Sequence, residues 1–213
     1  MPATTRVNTD ASGVELPFEF CALRYLLQWQ RKESSLYAKV REAEPSHDAI
    51  RKALRHFQVS QSFAGLKDDS RADSIKRALV SVRSAGEPDR VERVIRLAEN
   101  LKPDFQYNLS AASKLLWLSD RKGLIFDSRA YQALKDVFGH TGKKADYRKY
   151  CESWRSAYKE KRLEIELAVK KLPSAHEFLP SAVNPSKLSA LVSRPWFKER
   201  VFDIYLWELG SEG

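Results

Sequence analysis

The sequence predicts an all-α protein. Apolar residues recur at helical spacing along nearly the whole chain, no segment alternates apolar and polar residues as a half-buried strand would, and no two-residue hairpin turn is present. No fixed-period repeat appears either. The 213 residues are 43% hydrophobic and 11% aromatic, enough for one ordinary domain or two closely joined lobes, and too apolar for general disorder.

Residues 1–14 read as a short flexible arm that lacks the long apolar block of a secretory signal, leaving 15–213 as a single helical domain. Phe18, Cys21, Ala22, Tyr25, Leu26 and Trp29 place a first amphipathic helix over roughly 16–32. Ser46-His47-Asp48 caps a helix carrying Ile50, Leu54 and Phe57. Ile75, Leu79 and Val82 mark the next, closed by Ser84-Ala85-Gly86. Pro88 sits near the start of a helix through Val91, Val94, Ile95 and Ala98 that stops before Pro103. Residues 110–119 form a short apolar helix, and Asp127 is the N-cap of one running through Tyr131, Leu134 and Val137 to Gly139. A long charged helix spans Ala145 to Leu172. Pro173, Pro180 and Pro185 punctuate the linker after it, and a final aromatic helix starts near Pro195.

Two cysteines, Cys21 and Cys151, are too few for a disulfide scaffold or a four-thiolate metal site, and read as small buried apolar side chains. A reducing, cytoplasmic location is expected. The apolar runs are a few residues long, so no membrane-spanning helix is expected. His47, His56, His140 and His176 are scattered without zinc-ligand spacing, so neither a metal nor a cofactor is expected.

The net charge is +9, unevenly placed. It is +3 over residues 1–101, +7 over 102–172 and −1 over 173–213. A polyanion suits the middle segment; solvation of long helices by Lys and Arg is the competing explanation.

Lys114 lies on a mainly apolar helix, among Ala112, Leu115, Leu116 and Trp117. A lysine nucleophile must spend part of its time as the neutral amine, and removal from water favours that form. Asp127, after a Leu-Ile-Phe run, could assist the amine or stabilise positive charge developing on a sugar. The plainer alternative is a snorkelling Lys114 and an N-capping Asp127.

The stretch Asn108-Leu109-Ser110-Ala111-Ala112-Ser113-Lys114, followed by Ile125-Phe126-Asp127-Ser128-Arg129-Ala130, resembles the core of the helix-hairpin-helix DNA glycosylase superfamily. The resemblance is nearest to a bacterial 8-oxoguanine DNA glycosylase-like branch. It covers about 20 residues, plus a weaker match in the C-terminal aromatic helix at 196–209. It implies a two-lobed helical domain with a helix-hairpin-helix-like element and a cleft between the lobes, one lobe spanning about 60–140. It also implies that Lys114 is the catalytic lysine and Asp127 the catalytic aspartate, with Ser110, Ala112 and Ser113 on the hairpin. Both glycines of the superfamily hairpin are replaced here, by Ser110 and Ala112. The interval from Lys114 to Asp127 is short, and the cysteine count excludes the iron–sulfur cluster of some members.

The implied partner is double-stranded DNA carrying a damaged or modified base, bound by a monomer that rotates one nucleotide into a pocket. Arg121, Lys122, Arg129, Lys143 and Lys144 are the candidate backbone contacts, and Trp117 and Phe126 the candidate walls of the base pocket. Arg121, Lys122, Lys143 and Lys144 are expected to flank one cleft. Gly139-His140-Thr141-Gly142-Lys143-Lys144 is not a Walker A loop, because its spacing differs and no strand precedes it. Arg200 and Asp203, three apart on the last helix, are expected to pair on its surface. A non-catalytic DNA-binding protein of the same fold, and an unrelated helical protein, are the rival readings.

Overall fold

The computed structural model describes residues 16–86, 89–179 and 184–210. The expected arm at 1–14, with Pro88 and Pro180, lies outside the described residues. Among those, every regular element is a helix.

Most helix ends follow from local chemistry. Helix α1 (Phe18–Gln28) runs through a π-helical stretch (Trp29–Glu33) into α2 (Ser34–Val40) without a break, the junction residues all being right-handed helical. The sequence reading ends this helix near 32. The structure instead buries Glu33 completely and continues the stripe through Leu36 and Val40.

Helix α3 (His47–His56) starts where Ser46 Oγ accepts from the Ala49 amide at 3.2 Å. Asp68, Asp89, Asn108 and Asp127 do the same for α4 (Asp69–Ser84), α5 (Arg90–Leu101), α6 (Leu109–Asp120) and α7 (Ser128–Phe138). Each accepts from an early amide of its helix, satisfying a donor with no partner inside it. Gly139, at φ 68°, ends α7 in the left-handed conformation that glycine adopts most easily.

Helix α8 (Tyr147–Lys171) is followed by a 3₁₀ stretch (Leu172–Phe178), α9 (Pro185–Val192) and α10 (Pro195–Leu209). The segment expected to be only a linker thus contains a helix. Asn184 caps α9, and Pro185 stands at its first position, where a fixed φ and a missing N–H cost nothing.

The chain divides into two compact units. The central unit is Gln28–Phe126 with Ala145–Cys151; the terminal unit is the described chain up to Leu27, Asp127–Lys144, and the chain from Glu152 on. The lobe expected at about 60–140 therefore has different bounds from the compact central unit.

In the central unit α2, α3, α4, α5 and α6 pack in succession, and α6 also contacts α2 and α3. Leu115, Leu116, Trp117 and Leu118 are all buried. Each fully buried large apolar side chain contributes about 1.5–3 kcal/mol. From the first turn of α8, Tyr147 and Tyr150 donate their hydroxyls to the Leu124 and Ile125 carbonyls at 2.5 and 2.9 Å.

In the terminal unit α10 packs on α7 and α9. Phe18 stacks on Tyr205 at 4.3 Å, and Tyr25 meets Phe197 at 4.9 Å between ring centroids. Arg200 and Asp203 do pair, at 3.1 Å, but inside the unit rather than on the surface, with 4% and 7% exposure. Trp154 of α8 explains the burial, because its indole Nε1 donates to Asp203 Oδ1 at 2.8 Å. Cys21 and Cys151 are buried thiols, and burial pushes the Cys21 thiol up to about 12.

Candidate functional site

Lys114 sits in the second turn of α6, with 6% exposure. Its neighbours along the helix, Ala111, Ala112, Leu115 and Leu118, are all buried. Its Nζ donates to Ser110 Oγ at 3.0 Å, one turn earlier on the same helix. Ser110 is half-buried, so this hydroxyl fixes the amine near the N-terminal end of α6. A lysine so deeply placed is uncommon, since the charged head ordinarily reaches water. The sequence reading of an apolar helix over 110–119 agrees with α6 at both ends.

The segment 110–114, placed on a hairpin by the resemblance, is regular α-helix begun by Asn108, whose side chain accepts from the Ala111 amide at 2.9 Å. This corrects the expected contacts of two residues. Ala112 and Ser113 are fully buried and present nothing to a DNA backbone. Ser113 instead holds the loop after α6. Its Oγ donates to the Ser110 carbonyl at 3.1 Å and accepts from the Phe126 amide at 2.9 Å. Gly123, within that loop, lies close against α6, where an added Cβ would lie 3.1 Å from the Ser113 carbonyl oxygen.

Asp127 belongs to the terminal unit, whereas Lys114 belongs to the central one. Asp127 is half-buried and caps α7, its Oδ1 accepting from the Arg129 amide at 3.0 Å. Arg129 is exposed at the residue level, yet its guanidinium lies over Trp207 at 4.3 Å from the ring centroid. The Arg129 carbonyl is closely covered by Gly210, where an added Cβ would collide with that oxygen. Asp127 thus starts a helix whose first turn is clamped by the end of α10.

Arg121 ends α6 at φ 59°, a conformation that costs an L-residue roughly 1–2 kcal/mol. Its guanidinium stacks 3.6 Å from the Tyr37 centroid and 4.8 Å from that of Trp29. A phosphate contact by Arg121 would compete with this stack, worth about 0.5–2 kcal/mol. Lys122, Lys143 and Lys144 are exposed. Arg121 and Lys122 fall in the central unit, and Lys143 and Lys144 in the terminal unit.

Trp117 and Phe126 are core residues, which corrects their assignment to a base pocket. Trp117 is 1% exposed and meets Trp29 edge-on at 6.4 Å. Phe126 is 6% exposed and packs edge-on against Tyr147 and Tyr150. Their helical or loop backbone turns them into the central unit, where aromatic side chains bury the most surface.

Two arrangements escaped the sequence. Glu33, fully buried, accepts from Gln28 Nε2 at 2.5 Å and lies 3.1 Å from His56 Nε2. The second is a group of cations on α2 and α3, dispersed in the sequence among Glu33, Glu42, Glu44 and Asp48. Its signal was the i, i+3, i+7 spacing of Lys32, Ser35 and Lys39, which places them on one helix face. Among the described residues, no three His, Cys, Asp or Glu side chains are grouped to hold a metal ion, and no helix is long and apolar enough to cross a membrane.

No family model matches the chain, no curated protein matches it, and no solved structure matches it.

Proposed function

We propose that the chain is a DNA glycosylase of the helix-hairpin-helix type, with abasic-site lyase activity, acting on a modified purine such as 8-oxoguanine in double-stranded DNA. The observation that supports this reading most is Lys114, an amine 6% exposed on an apolar helix and hydrogen-bonded to Ser110. The proposal includes two lobes with a cleft between them, a monomer and a cytoplasmic location.

In the chemistry, the Lys114 Nζ lone pair forms a bond to the sugar C1′ while the bond from C1′ to the base nitrogen breaks. The departing base keeps that electron pair and takes up a proton. The C1′–O4′ bond then breaks, O4′ takes up one Nζ proton, and the nitrogen lone pair forms the C1′=N bond of a protonated Schiff base. Abstraction of a 2′ proton from it then expels the 3′ phosphate and nicks the strand. Asp127 supports the amine and the positive charge on the sugar.

A rival reading is a DNA-binding protein of the same fold without catalysis. The regular helix at 110–114 favours it, because buried Ala112 and Ser113 remove the close phosphate approach of a glycine hairpin.

Borohydride reduction on duplexes carrying 8-oxoguanine or an abasic site tests the first reading. A covalent protein–DNA adduct is expected, and Lys114→Gln should lose it while duplex binding persists. Binding without an adduct across a broad lesion panel would instead establish the rival.

A further inference from the structure

The central unit holds a cleft of about 410 Å³, lined by neither Lys114 nor Asp127, between α2, with the π-helical stretch before it, and α3. Its walls carry Arg31, Lys32 and Lys39 from one side and Lys52 and Arg55 from the other. All five residues are exposed. The floor is different in character, formed by the buried Leu36 and the half-buried His56, itself hydrogen-bonded to Glu33.

The π-helical turn contributes directly. It carries Glu33 inward to full burial while Arg31 and Lys32, its immediate predecessors, stay at the surface. Such insertions into helices recur at functional sites. The carboxylate nearest in sequence to the two arginine and lysine side chains is thereby withdrawn from the cleft.

The charges are poorly compensated. Among the described residues Arg31, Lys32, Lys39 and Arg55 form no ion pair, and Lys52 alone is paired, with Asp48 at 2.7 Å. The positive field reaches that carboxylate. The Lys52 hydrogen bond, then the charges of Lys52, Lys39 and Arg55, hold the Asp48 carboxyl below its ordinary range. Cations elsewhere are commonly matched: Arg51 with Asp69, Lys76 with Glu44 and Asp73, Lys198 with Glu166. Gathering unmatched cations around a concavity costs self-repulsion that a bound polyanion relieves.

We propose that this cleft is a second anion site, which binds consecutive phosphate groups of a nucleotide. Two guanidinium forks, from Arg31 and Arg55, match the paired oxygens of a phosphate, and the lysines add point charges around them. Leu36 and the aliphatic stems of the lysines give the apolar footing that a sugar or base needs. The cleft volume lies in the range of small-ligand sites. The phosphates come either from the backbone of a nucleic-acid strand or from a free oligophosphate. The site uses neither Lys114 nor Asp127 and stands apart from the glycosylase reading.

The test is fluorescence anisotropy of the full chain with a labelled single-stranded 12-mer, competed by inorganic tripolyphosphate at constant ionic strength. Lys39→Glu with Arg55→Glu should weaken strand binding about tenfold or more and flatten its salt dependence. Lys159→Glu with Lys187→Glu, the same charge change on exposed residues outside the cleft, should weaken it far less. The milder pair Lys39→Gln with Arg55→Gln, checked by circular dichroism, separates lost binding from lost fold. Tripolyphosphate binding tighter than the strand assigns the site to free oligophosphates, and the reverse assigns it to strand backbone. Equal losses in the cleft and control variants would overturn the proposal. Displacement of the strand by oligoglutamate as readily as by tripolyphosphate would also overturn it.

Discussion

Asp203 shows how far a side chain's role departs from its spacing. The residues Arg200 and Asp203 pair as their i, i+3 positions suggest, but Trp154, 49 residues away in sequence, decides that the pair is buried. Burial raises the Asp203 carboxyl from 3.8 to about 6, against the opposing effects of Arg200 and Trp154. Between those values the folded chain holds a proton that the unfolded chain has released. This group's contribution to stability therefore grows as pH falls from 7 through about 6 and levels off below the unfolded value. Wild type should gain stability relative to Asp203→Asn between about pH 7.5 and about pH 4.5, measured by urea unfolding of both proteins. Parallel pH dependences would show that Asp203 does not titrate in that window. The identity of Lys114 and Asp127 as candidates was readable from residue type and spacing. The burial of Trp117, Phe126 and Ser113 was not, since it depends on side chains contributed from distant elements.

At the scale of elements, helix limits were legible wherever one residue sets them. Ser46, Asp127 and Gly139 each mark an end by satisfying a backbone group or by adopting positive φ, and the structure agrees at all three. Helix α9 was hidden because its proline suggested a break, whereas Pro185 stands at the one helical position that suits it. The loop from Arg121 to Phe126 was equally opaque. Its anchor is the Ser113 hydroxyl, 13 residues before the amide that it accepts. Ser113→Ala leaves that buried amide of Phe126 without its acceptor and should cost about 1–3 kcal/mol. Chemical denaturation measures this, and a change within error would mean that the loop finds another acceptor.

For the whole molecule, the division into two compact units follows neither the sequence order nor the charge distribution. The chain passes between units at 27/28, 126/127, 144/145 and 151/152. The central unit draws seven residues from a distant segment, and two of them, Tyr147 and Tyr150, take the carbonyls of Leu124 and Ile125. A fragment covering 28–126 lacks those hydroxyls and should melt non-cooperatively, while 28–151 should recover a cooperative thermal transition by circular dichroism. Equal melting of both would make the two tyrosines dispensable. Counting charge along the chain pointed to 102–172, whereas the concave group of unmatched cations lies on α2 and α3. Net charge over a segment adds cations and anions regardless of direction, so a carboxylate turned inward, as Glu33 is, still cancels a surface lysine in the sum.

The π-helical turn has a consequence for how this protein tolerates insertion and deletion. An extra residue accommodated inside a helix is a stored register shift. Losing one residue between 29 and 33 would let the helix close into ordinary α geometry and leave the faces of α2 in their present register, because the wider turn already absorbs that residue. A deletion within 34–40 has no such slack and would rotate the residues beyond it by about 100° about the helix axis, taking Lys39 off the cleft wall. The turn at 29–33 is therefore the part of this helix where a one-residue change of length disturbs the cleft least.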